Sequence, residues 1–429
     1  MREAIVLQAR TARNPFQTKG SLNEWREEGV GKLALYNSRV MLALCGAFAP
    51  PLLHPCGLES GGFNFVGASS TGKTTALLAA ASVWGRGSRE GGYMSAWRST
   101  SNGLESLAAL HNDALLVLDE IGQAPAQTVS EAAYLLANGT GKNRSRADGT
   151  AREALSWLLF VLSSGETGLA ERIMETGGTA RAGQMVRLLD IPADAGAGMG
   201  LFEDLRGHGD PSAFAAALQE AAASAYGTAA RAFIRKIQVT GLDVIGKQWR
   251  EYRSAKLEDF AGKGADGQTK RAAERFLLCI LAGERAAEWG ILPWPKGAAT
   301  RAVWTCFRAW LEHRGGNGPA EDMAIRAQVL RFLEQHGQSR FQDVALPDDK
   351  CVNRVGFRER FGDSIRYHVL PESFKSEVVK GYPAKHAAKV LKAAGILVTP
   401  DPERQMQWLT VPEGLGKIRG YILTVPDSE

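Results

Sequence analysis

The chain has 429 residues, of which 45% are hydrophobic, and a net charge of +5 at neutral pH. A chain of this size can bury more than one core, so we expect two or three domains, and the mildly basic balance permits nucleic-acid binding without requiring it. Its five scattered cysteines argue against a zinc site because no C-x-x-C pair occurs. With no apolar run of about eighteen residues and no secretory signal, we expect a cytoplasmic protein that makes no membrane contact.

The first predicted segment, residues 1–60, is an N-terminal helical region. Residues 1–22 have the composition of a loosely structured stretch, whereas residues 23–60 show helical periodicity, with Trp25, Val30 and Leu33 at packing positions. This pattern ends before the apolar run that starts at Phe63.

A glycine-rich motif at residues 67–74, GASSTGKT, matches the pattern G-x-x-x-x-G-K-[ST] in full. It follows an apolar run and leads into a helix-prone stretch, which predicts a strand, a phosphate-binding loop and a helix. An ordinary helix cap is the alternative, but a cap explains neither the lysine nor the preceding strand. The sequence therefore predicts an ATP site formed by consecutive residues: Gly67, Ala68, Ser69, Ser70, Thr71, Gly72, Lys73, Thr74 and Thr75.

The residue types in this motif suit phosphate chemistry. Gly67 and Gly72 allow the backbone to bend around a phosphate, so that N–H groups and a helix N-terminus can face it. Lys73 would reach the β- and γ-phosphates, and the Thr74 hydroxyl would bind Mg²⁺.

A second apolar run, ALLVLDE at residues 114–120, is typical of a strand buried on both faces and ends in two carboxylates. Such a strand would place Asp119 beside the loop to hold Mg²⁺, and Glu120 where it can polarise a water molecule. The alternative is a solvated acidic turn. A phosphotransferase has no need of the second acid because its acceptor is not water, so the pair favours ATP hydrolysis.

The segment at residues 139–152, GTGKNRSRADGTAR, is rich in glycine and in basic residues, among them Lys142, Arg144 and Arg146. The glycines favour a hairpin or loop. Such a hairpin could track DNA phosphates inside the channel of a ring-shaped motor, or it could be an ordinary solvated basic loop. Composition leaves both interpretations open.

Two more apolar runs follow, SWLLFVLSS at residues 156–164 and QMVRLLDIPA at residues 184–193. The first predicts a strand whose tip carries a sensor of the γ-phosphate, with Ser164 as the first choice and Ser163 as the second; either serine could instead cap a helix. The second predicts a strand that contains Arg187. This arginine is either a surface charge or an arginine finger that acts on the ATP of a neighbouring subunit.

Strands alternate with helices over residues 61–195, which predicts an α/β fold: a P-loop NTPase core with a parallel sheet flanked by helices. Residues 196–318 are predicted as a helical region that serves either as a lid over the nucleotide or as passive packing.

The last predicted domain, residues 319–429, has an order of elements that resembles a winged helix. Its recognition helix would span residues 383–394 and offer Lys385, His386, Lys389 and Lys392 to DNA. Lysines on a surface helix are often merely solvated, and winged helices also bind proteins, so DNA contact by Lys385 and Lys389 is one of two interpretations.

The sequences of several motifs, and their order along the chain, also resemble those of a known family. NEWREEGV, FNFVGASSTGKTTAL, SAWRSTSNGLE, HNDALLVLDEIGQ, YLLANGTGKNRSRADG, LSSGE, HRGGNG and EQHGQSRF occur in this order. Together they closely resemble the family catalogued as domain of unknown function 927, which occurs on phages, plasmids and other mobile elements. The resemblance runs from about Pro15 to the C-terminus, and several of these motifs contain no generic P-loop information.

The resemblance implies an AAA+ replicative helicase similar to the minichromosome maintenance proteins: a homo-hexameric ring that hydrolyses ATP with Mg²⁺, acts on single-stranded or forked DNA and serves the replication of a mobile element beside a primase or other replication partner. It gives Lys73 and Thr74 the Walker A roles, Asp119 and Glu120 the Walker B roles, and Ser164 the sensor role. Arg187 resembles the trans-acting finger, and the hairpin around Lys142–Arg146 resembles the channel loop. Because relatives usually have additional sequence upstream, we expect an N-terminal collar or primase function to be absent here or encoded elsewhere.

Three functions remain open at this point: a ring-forming DNA helicase or translocase, a DNA-bound ATP switch or loader that does not unwind DNA, and a phosphotransferase. Glu120 and the basic hairpin count against the third.

Overall fold

The computed structural model describes residues 14–98, 100–141, 144–145, 151–152, 154–174, 187–314, 320–346, 351–362, 364–399, 404–412 and 414–425. It separates into two compact units, residues 1–317 and residues 318–429. Most of the loose segment predicted over residues 1–22 lies outside the described residues.

The first unit is built on a five-stranded parallel sheet with the strand order β2-β3-β6-β1-β7. Its three central strands, β3, β6 and β1, are buried along almost their whole length, as expected for a parallel sheet covered on both faces. The predicted α/β core is therefore confirmed. The strands of this unit, including a separate two-stranded hairpin, are β1 (Gly61–Val66), β2 (Ser95–Ala96), β3 (Leu115–Asp119), β4 (Arg144–Ser145), β5 (Ala151–Arg152), β6 (Phe160–Gly165) and β7 (Leu188–Pro192).

Strand β6 lies between β1 and β3, and this order determines which residues meet. Because all five strands are parallel, their carboxyl ends lie at one edge of the sheet. The loop that follows β1, the acidic end of β3 and the serine end of β6 therefore meet there. The amino ends of the same strands, including the residue that precedes β7, lie at the opposite edge.

Helices cover both faces of this sheet. The described helices of the first unit are α1 (Val30–Leu33), α2 (Ser38–Phe48), α3 (Pro50–Cys56), α4 (Lys73–Ala81), α5 (Ser101–Leu110), α6 (Ala126–Asn138), α7 (Leu169–Met174), α8 (Pro211–Ser224), α9 (Thr228–Thr240), α10 (Leu242–Ala261), α11 (Gly267–Glu288) and α12 (Ala298–Arg314). A π-helical turn at Glu24–Glu28 precedes α1, and a short 3-10 turn at Ile121–Gln123 follows β3.

Alternate residues of the central strands enter two different hydrophobic cores. Leu115 and Val117 of β3 face a core shared with α2, α4, α11 and α12, whereas Leu116 and Leu118 face a core shared with α5, α6 and α7. All of α2 is buried, and Phe63 of β1 lies 4.8 Å from Phe276 of α11, centroid to centroid. Helices α11 and α12 thus pack into the core, which favours passive packing over a lid for these two helices.

The described residues between α6 and β6 include an antiparallel pair, β4 with β5, in which Arg144 lies opposite Arg152, as the predicted hairpin requires. A bridge between Thr140 and Ser156 closes its base. The chain then runs from this base to Phe160, the first residue of β6, so the hairpin branches from the amino edge of the sheet. Ser156 to Leu159, predicted as part of the strand, precede it instead.

The second unit contains a six-stranded sheet in which β8 to β11 and β13 follow the order β11-β13-β10-β9-β8 and β12 pairs with β13. Its buried face packs on helices through Ile325, Val329, Leu333, Phe374 and Leu391. The elements are α13 (Ala320–His336), β8 (Phe341–Asp343), β9 (Gly356–Phe361), β10 (Ser364–Val369), α14 (Pro371–Ser373) with a π-helical turn at Phe374–Val378, α15 (Ala384–Ala393), β11 (Leu397–Val398), β12 (Gln407–Trp408) and β13 (Arg419–Thr424). The winged-helix assignment of this unit stays a prediction.

No single helix among the described residues is long and apolar enough to cross a membrane; only α2 and α3 together reach that length, and they are bent by 59°.

Candidate active site

The glycine-rich loop joins β1 to α4, which begins at Lys73, so the strand, loop and helix predicted from the motif are present. Gly72 has a φ of +97° and Ser70 a φ of +61°. A Cβ at Gly72 would lie 3.0 Å from the Phe202 ring, in addition to the strain of that φ. The turn thus delivers the N-terminus of a nine-residue helix to the carboxyl edge of the sheet.

Lys73 is almost completely buried inside this loop. Its Nζ donates hydrogen bonds to the carbonyl oxygens of Gly67 at 2.7 Å and Ala68 at 2.6 Å. Burial lowers the pKa of the ammonium, while the carboxylates of Glu120, Glu166 and Asp119 oppose that shift. Glu166, which follows β6, is a member of this carboxylate group that the sequence did not single out.

Thr74, Asp119 and Ser164 form a hydrogen-bonded cluster beside the loop. The Thr74 hydroxyl oxygen lies 3.2 Å and 3.3 Å from the two carboxylate oxygens of Asp119, and Ser164 Oγ donates to Asp119 Oδ1 at 2.6 Å. A hydroxyl and a carboxylate are hard oxygen donors that fit Mg²⁺, which takes few protein ligands and completes its shell with phosphate oxygens and water. Among the described residues no group of three or more His, Cys, Asp or Glu could hold a metal, so a Mg²⁺ site would depend on Thr74, Asp119 and the nucleotide.

Glu120 is held at the same edge by an unusual backbone conformation. Its φ is +60°, a left-handed value that costs a residue with a Cβ of the order of 1 kcal/mol or more. Its N–H donates to Ser164 Oγ at 3.0 Å, and the 3-10 turn begins at the next residue. Strain of this kind is common at functional sites, because the surrounding structure must impose it.

The two serines of β6 have different surroundings. Ser164 contacts Asp119 and the backbone of Glu120, whereas Ser163 Oγ accepts a hydrogen bond from Trp97 Nε1 at 2.7 Å and is fully buried. Neighbouring residues of a strand point to opposite faces, so only one serine can join the cluster. The structure brings Ser164, the first choice, to this position.

We expect replacement of Ser164 by alanine to slow ATP turnover about tenfold or more, because Asp119 and Glu120 lose a shared partner. Steady-state ATPase measurements would test this. Ser163→Ala is the matched control: it removes the hydrogen bond of Trp97, so it should lower the free energy of unfolding by about 1–2 kcal/mol and leave turnover nearly unchanged. Equal turnover in Ser164→Ala and the wild type would contradict the assignment.

Arg89 is a site residue that the sequence analysis missed. Its guanidinium lies 3.2 Å from Thr74 Oγ1 and 3.9 Å from Asp119 Oδ2, although the side chain is 68% exposed. It belongs to the loop that follows α4, which Gly87 N–H anchors to the carbonyl oxygen of Ala222 at 3.1 Å. The only sequence signal is the cluster of glycine and arginine at residues 85–92, GRGSREGG.

Residues 200–219 also contact the loop. Leu201 N–H donates to the carbonyl oxygen of Thr71 at 2.8 Å, and Gln219 Nε2 of α8 donates to Thr75 Oγ1 at 2.7 Å. The part of the helical region that contacts the glycine-rich loop is therefore α8 and the segment before it, whereas α11 and α12 lie in the core.

The segment that contains the glycine-rich loop, Asp119 and Glu120 also matches a family model. The model described as Domain of unknown function (DUF927) matches residues 1–156. The resemblance to this family inferred from the motifs is therefore supported over residues 1–156. A comparison with curated proteins found no match.

Among solved structures, SCCmec type IV Cch, described as an active helicase, aligns with a TM-score of 0.68 at 17% identity and covers 96% of this chain and 71% of that chain. At this identity the similarity establishes a shared fold. A second structure, NtrX from Brucella abortus in complex with ATP, covers 60% of this chain and 66% of that chain at 15% identity, but its TM-score of 0.21 is too low to support an argument.

Arg187, which lies beyond the segment matched by the DUF927 model, is far from this site within the chain. It immediately precedes β7, whereas the sequence placed it inside the strand, and its carbonyl oxygen accepts from Gly62 N–H at the amino edge. That edge is about 17 Å from the loop, the length of β1. Arg187 NH1 donates to Asn138 Oδ1 at 2.5 Å, and NH2 lies 3.4 Å from Glu59 Oε2.

A cavity of about 370 Å³ opens beside Arg187 and is also lined by Arg271 and Arg275 of α11. Burial lowers the pKa of the Arg275 guanidinium to about 10, which still leaves it charged at neutral pH. The carboxylates of Glu59 and Glu274 line the same cavity. Charged side chains of both signs thus converge at the amino edge, at the opposite end of the sheet from the glycine-rich loop.

The predicted DNA contacts lie in two other places. Of the hairpin residues, Lys142 and Arg146 lie outside the described residues, and Arg144 lies in β4. Lys385 and Lys389 are exposed on α15, where His386 Nε2 contacts Asp322 Oδ1 at 3.1 Å. Both sets of residues are distant in sequence from the glycine-rich loop at residues 67–74. DNA binding by these residues must therefore be tested separately from ATP hydrolysis.

Proposed function

We propose that this protein is an ATP-dependent DNA helicase or translocase that works as a ring, most simply a hexamer, in the replication of a mobile element. The observation that supports hydrolysis best is the cluster of Thr74, Asp119 and Ser164 at the carboxyl edge, with Glu120 beside it. The fold shared with a protein described as an active helicase supports the proposed helicase or translocase activity.

In this proposal residues Gly67 to Thr75 bind ATP through the loop backbone and the N-terminus of α4. Lys73 holds the β- and γ-phosphates, while Thr74 and Asp119 hold Mg²⁺, whose charge would stabilise the phosphate oxygens. Glu120 accepts a proton from the attacking water, and Ser164 holds the carboxylate of Asp119 and the backbone of Glu120 in place. A phosphotransferase would require an acceptor in place of water, and Glu120 at this position argues against it.

Arg187 is proposed to act on the ATP of a neighbouring subunit. Its position at the amino edge, about 17 Å from its own loop, is incompatible with a contact to its own ATP unless the sheet is broken. In a head-to-tail ring the amino edge of one subunit can face the carboxyl edge of the next. The three arginines that line the adjacent cavity outnumber its two carboxylates, which leaves an excess of positive charge that favours a polyphosphate at this edge.

The basic hairpin and α15 are the proposed DNA contacts. A hairpin that branches from the amino edge, rather than from the nucleotide edge, can contact DNA without obstructing ATP. The second candidate function is a DNA-bound ATP switch or loader that binds DNA and hydrolyses ATP without unwinding, alone or with a primase or other replication partner. Both functions use the same nucleotide site, so only the response to DNA separates them.

The decisive experiment measures ATP turnover and strand displacement on a forked DNA substrate, together with the particle mass in the presence of ATP. A helicase should show turnover stimulated by single-stranded DNA, displacement and a multiple of the 46.2 kDa chain. Stimulated turnover without displacement would support the switch instead, and turnover indifferent to DNA would contradict both.

Neutralising Lys142, Arg144 and Arg146 together should weaken DNA binding and flatten its dependence on salt, because each lost phosphate contact lowers the slope of log affinity against log salt by about 0.7–0.9. Titrations at several salt concentrations would measure this slope. Neutralising the exposed arginines Arg231 and Arg235 of α9 is the matched control. An unchanged slope in the hairpin variant would reduce the hairpin to a solvated surface.

A further inference from the structure

An exposed tryptophan lies on the sheet of the second unit. Trp408 of β12 is 60% exposed. It pairs with Arg419 of β13, whose guanidinium carbon lies 5.5 Å from the centroid of the indole ring. Trp304 of the first unit is also exposed, but it packs on Phe260 at 4.7 Å between centroids. An indole surface left in water is unfavourable for folding, so its retention beside a cation points to a partner.

The strand that contains Trp408 is attached to α15. Gln405 Nε2 donates to the carbonyl oxygen of Lys385 at 3.1 Å, and Lys392 Nζ donates to the carbonyl oxygen of Arg404 at 3.3 Å. Trp408 is three residues beyond Gln405, which is at most about 10 Å of extended chain. The tryptophan and the exposed lysines of α15 therefore belong to one neighbourhood, which we call the tryptophan surface: Lys385, Lys389, Arg404, Trp408 and Arg419.

The chemistry of this surface selects a particular polyanion. Exposed lysines and arginines attract any phosphate chain, but an exposed indole adds a flat face on which a base can stack. In a duplex each base face is covered by its neighbours, whereas an unpaired base is accessible to the ring.

We infer that the tryptophan surface binds single-stranded nucleic acid, with an unpaired base stacked on Trp408 and the adjoining phosphates held by Lys385, Lys389 and Arg419. This inference rests on the proposed DNA-dependent function and specifies that the nucleic acid bound at this surface is single-stranded. It also specifies the role of α15, whose lysines then hold the phosphate backbone of a single strand.

The test compares two fluorescent probes of equal length, an oligothymidylate and an oligomer of abasic sites, bound to the full chain and followed by anisotropy. Trp408→Ala should weaken binding of the oligothymidylate about tenfold and leave the abasic probe nearly unchanged, because only the stacking contribution is lost. Trp408→Phe should restore most of the affinity. Trp304→Ala is the matched control and should change neither affinity.

Several results would overturn the inference. These are an unaltered oligothymidylate affinity in Trp408→Ala, an equal loss of affinity for the abasic probe, or failure of the wild type to bind either probe. A particle mass that differs between Trp408→Ala and the wild type would also overturn it, because this surface would then be a contact between copies of the chain. ATP turnover without DNA, measured on the same samples, should be equal in Trp408→Ala and the wild type. If the wild type hydrolyses no ATP but discriminates between the probes, the proposed ATPase fails and the inference stands.

Discussion

Replacing Lys73 by alanine is expected to abolish ATP hydrolysis, with a loss of about a thousandfold or more, because the loop then has no cation for the β- and γ-phosphates. Lys73 Nζ reaches into the loop from the first residue of α4 and bonds to Gly67 and Ala68, so no neighbouring lysine can substitute for it. The measurement is phosphate release at saturating ATP and Mg²⁺, combined with a nucleotide-binding titration.

Variants of two carboxylates near Lys73 test whether the loss of ATP turnover reflects the proposed roles of individual residues. Glu120→Gln should retain ATP binding and lose turnover, because the amide keeps the shape of the side chain but cannot accept a proton. Glu166→Gln is the matched control: Glu166 is also close enough to act on the pKa of Lys73, but it is not on β3. We expect turnover in Glu166→Gln to fall much less than in Glu120→Gln.

The opposite pattern would contradict the roles of Lys73 and Glu120. Normal turnover in Lys73→Ala would reject the loop as the ATP site. A Glu166→Gln variant as inactive as Glu120→Gln would mean that the carboxylates act together to keep Lys73 charged, not that one of them activates water. Thermal unfolding of each variant checks that the buried ammonium is not required for folding itself.

The geometry of the candidate site could largely be predicted from the sequence because its determinants are local. The loop and the helix at Lys73 follow one another in the chain, and the apolar run of β3 ends at Asp119, so both patterns are visible in short windows. That Ser164, not Ser163, joins Asp119 depends on which face of β6 each serine occupies. The sequence favours Ser164 over Ser163, but it does not show which of the two side chains lies on the same face as Asp119.

Contacts between distant loops could not be predicted. Arg89 reaches Thr74 only because glycines allow the loop after α4 to fold back, and nothing in its spacing indicates a partner. The predicted strand begins at Ser156, which is too early. Strand β6 begins at Phe160, because Ser156 pairs with Thr140 at the base of the hairpin.

In the second unit, β9 and β10 were overlooked because charged residues interrupt their alternation. The dipeptide Gly362-Asp363 between them is nevertheless a two-residue hairpin signal.

Replacing Arg187 by alanine should leave ATP binding intact and lower turnover in the assembled ring by about a thousandfold, if this guanidinium acts on the neighbour's ATP. The basis is its location at the amino edge, bonded to Asn138 and Glu59, with the whole of β1 between it and its own loop. Glu59→Ala is the matched control, because it removes the ion-pair partner and keeps the guanidinium. A purely structural role for the pair would make both variants equally slow.

Mixing provides the stronger test, since a site formed between subunits can be repaired by another copy. In a ring of equal parts Arg187→Ala and Lys73→Ala, about a quarter of the interfaces combine an intact loop with an intact arginine, so partial turnover should return although neither variant alone is active. The recovered ATP turnover should depend on the mixing ratio and should disappear under conditions that keep the chain monomeric. Absence of any return at every ratio, in particles shown by mass to be mixed, would rule out trans action and make Arg187 a structural charge at the amino edge of the sheet.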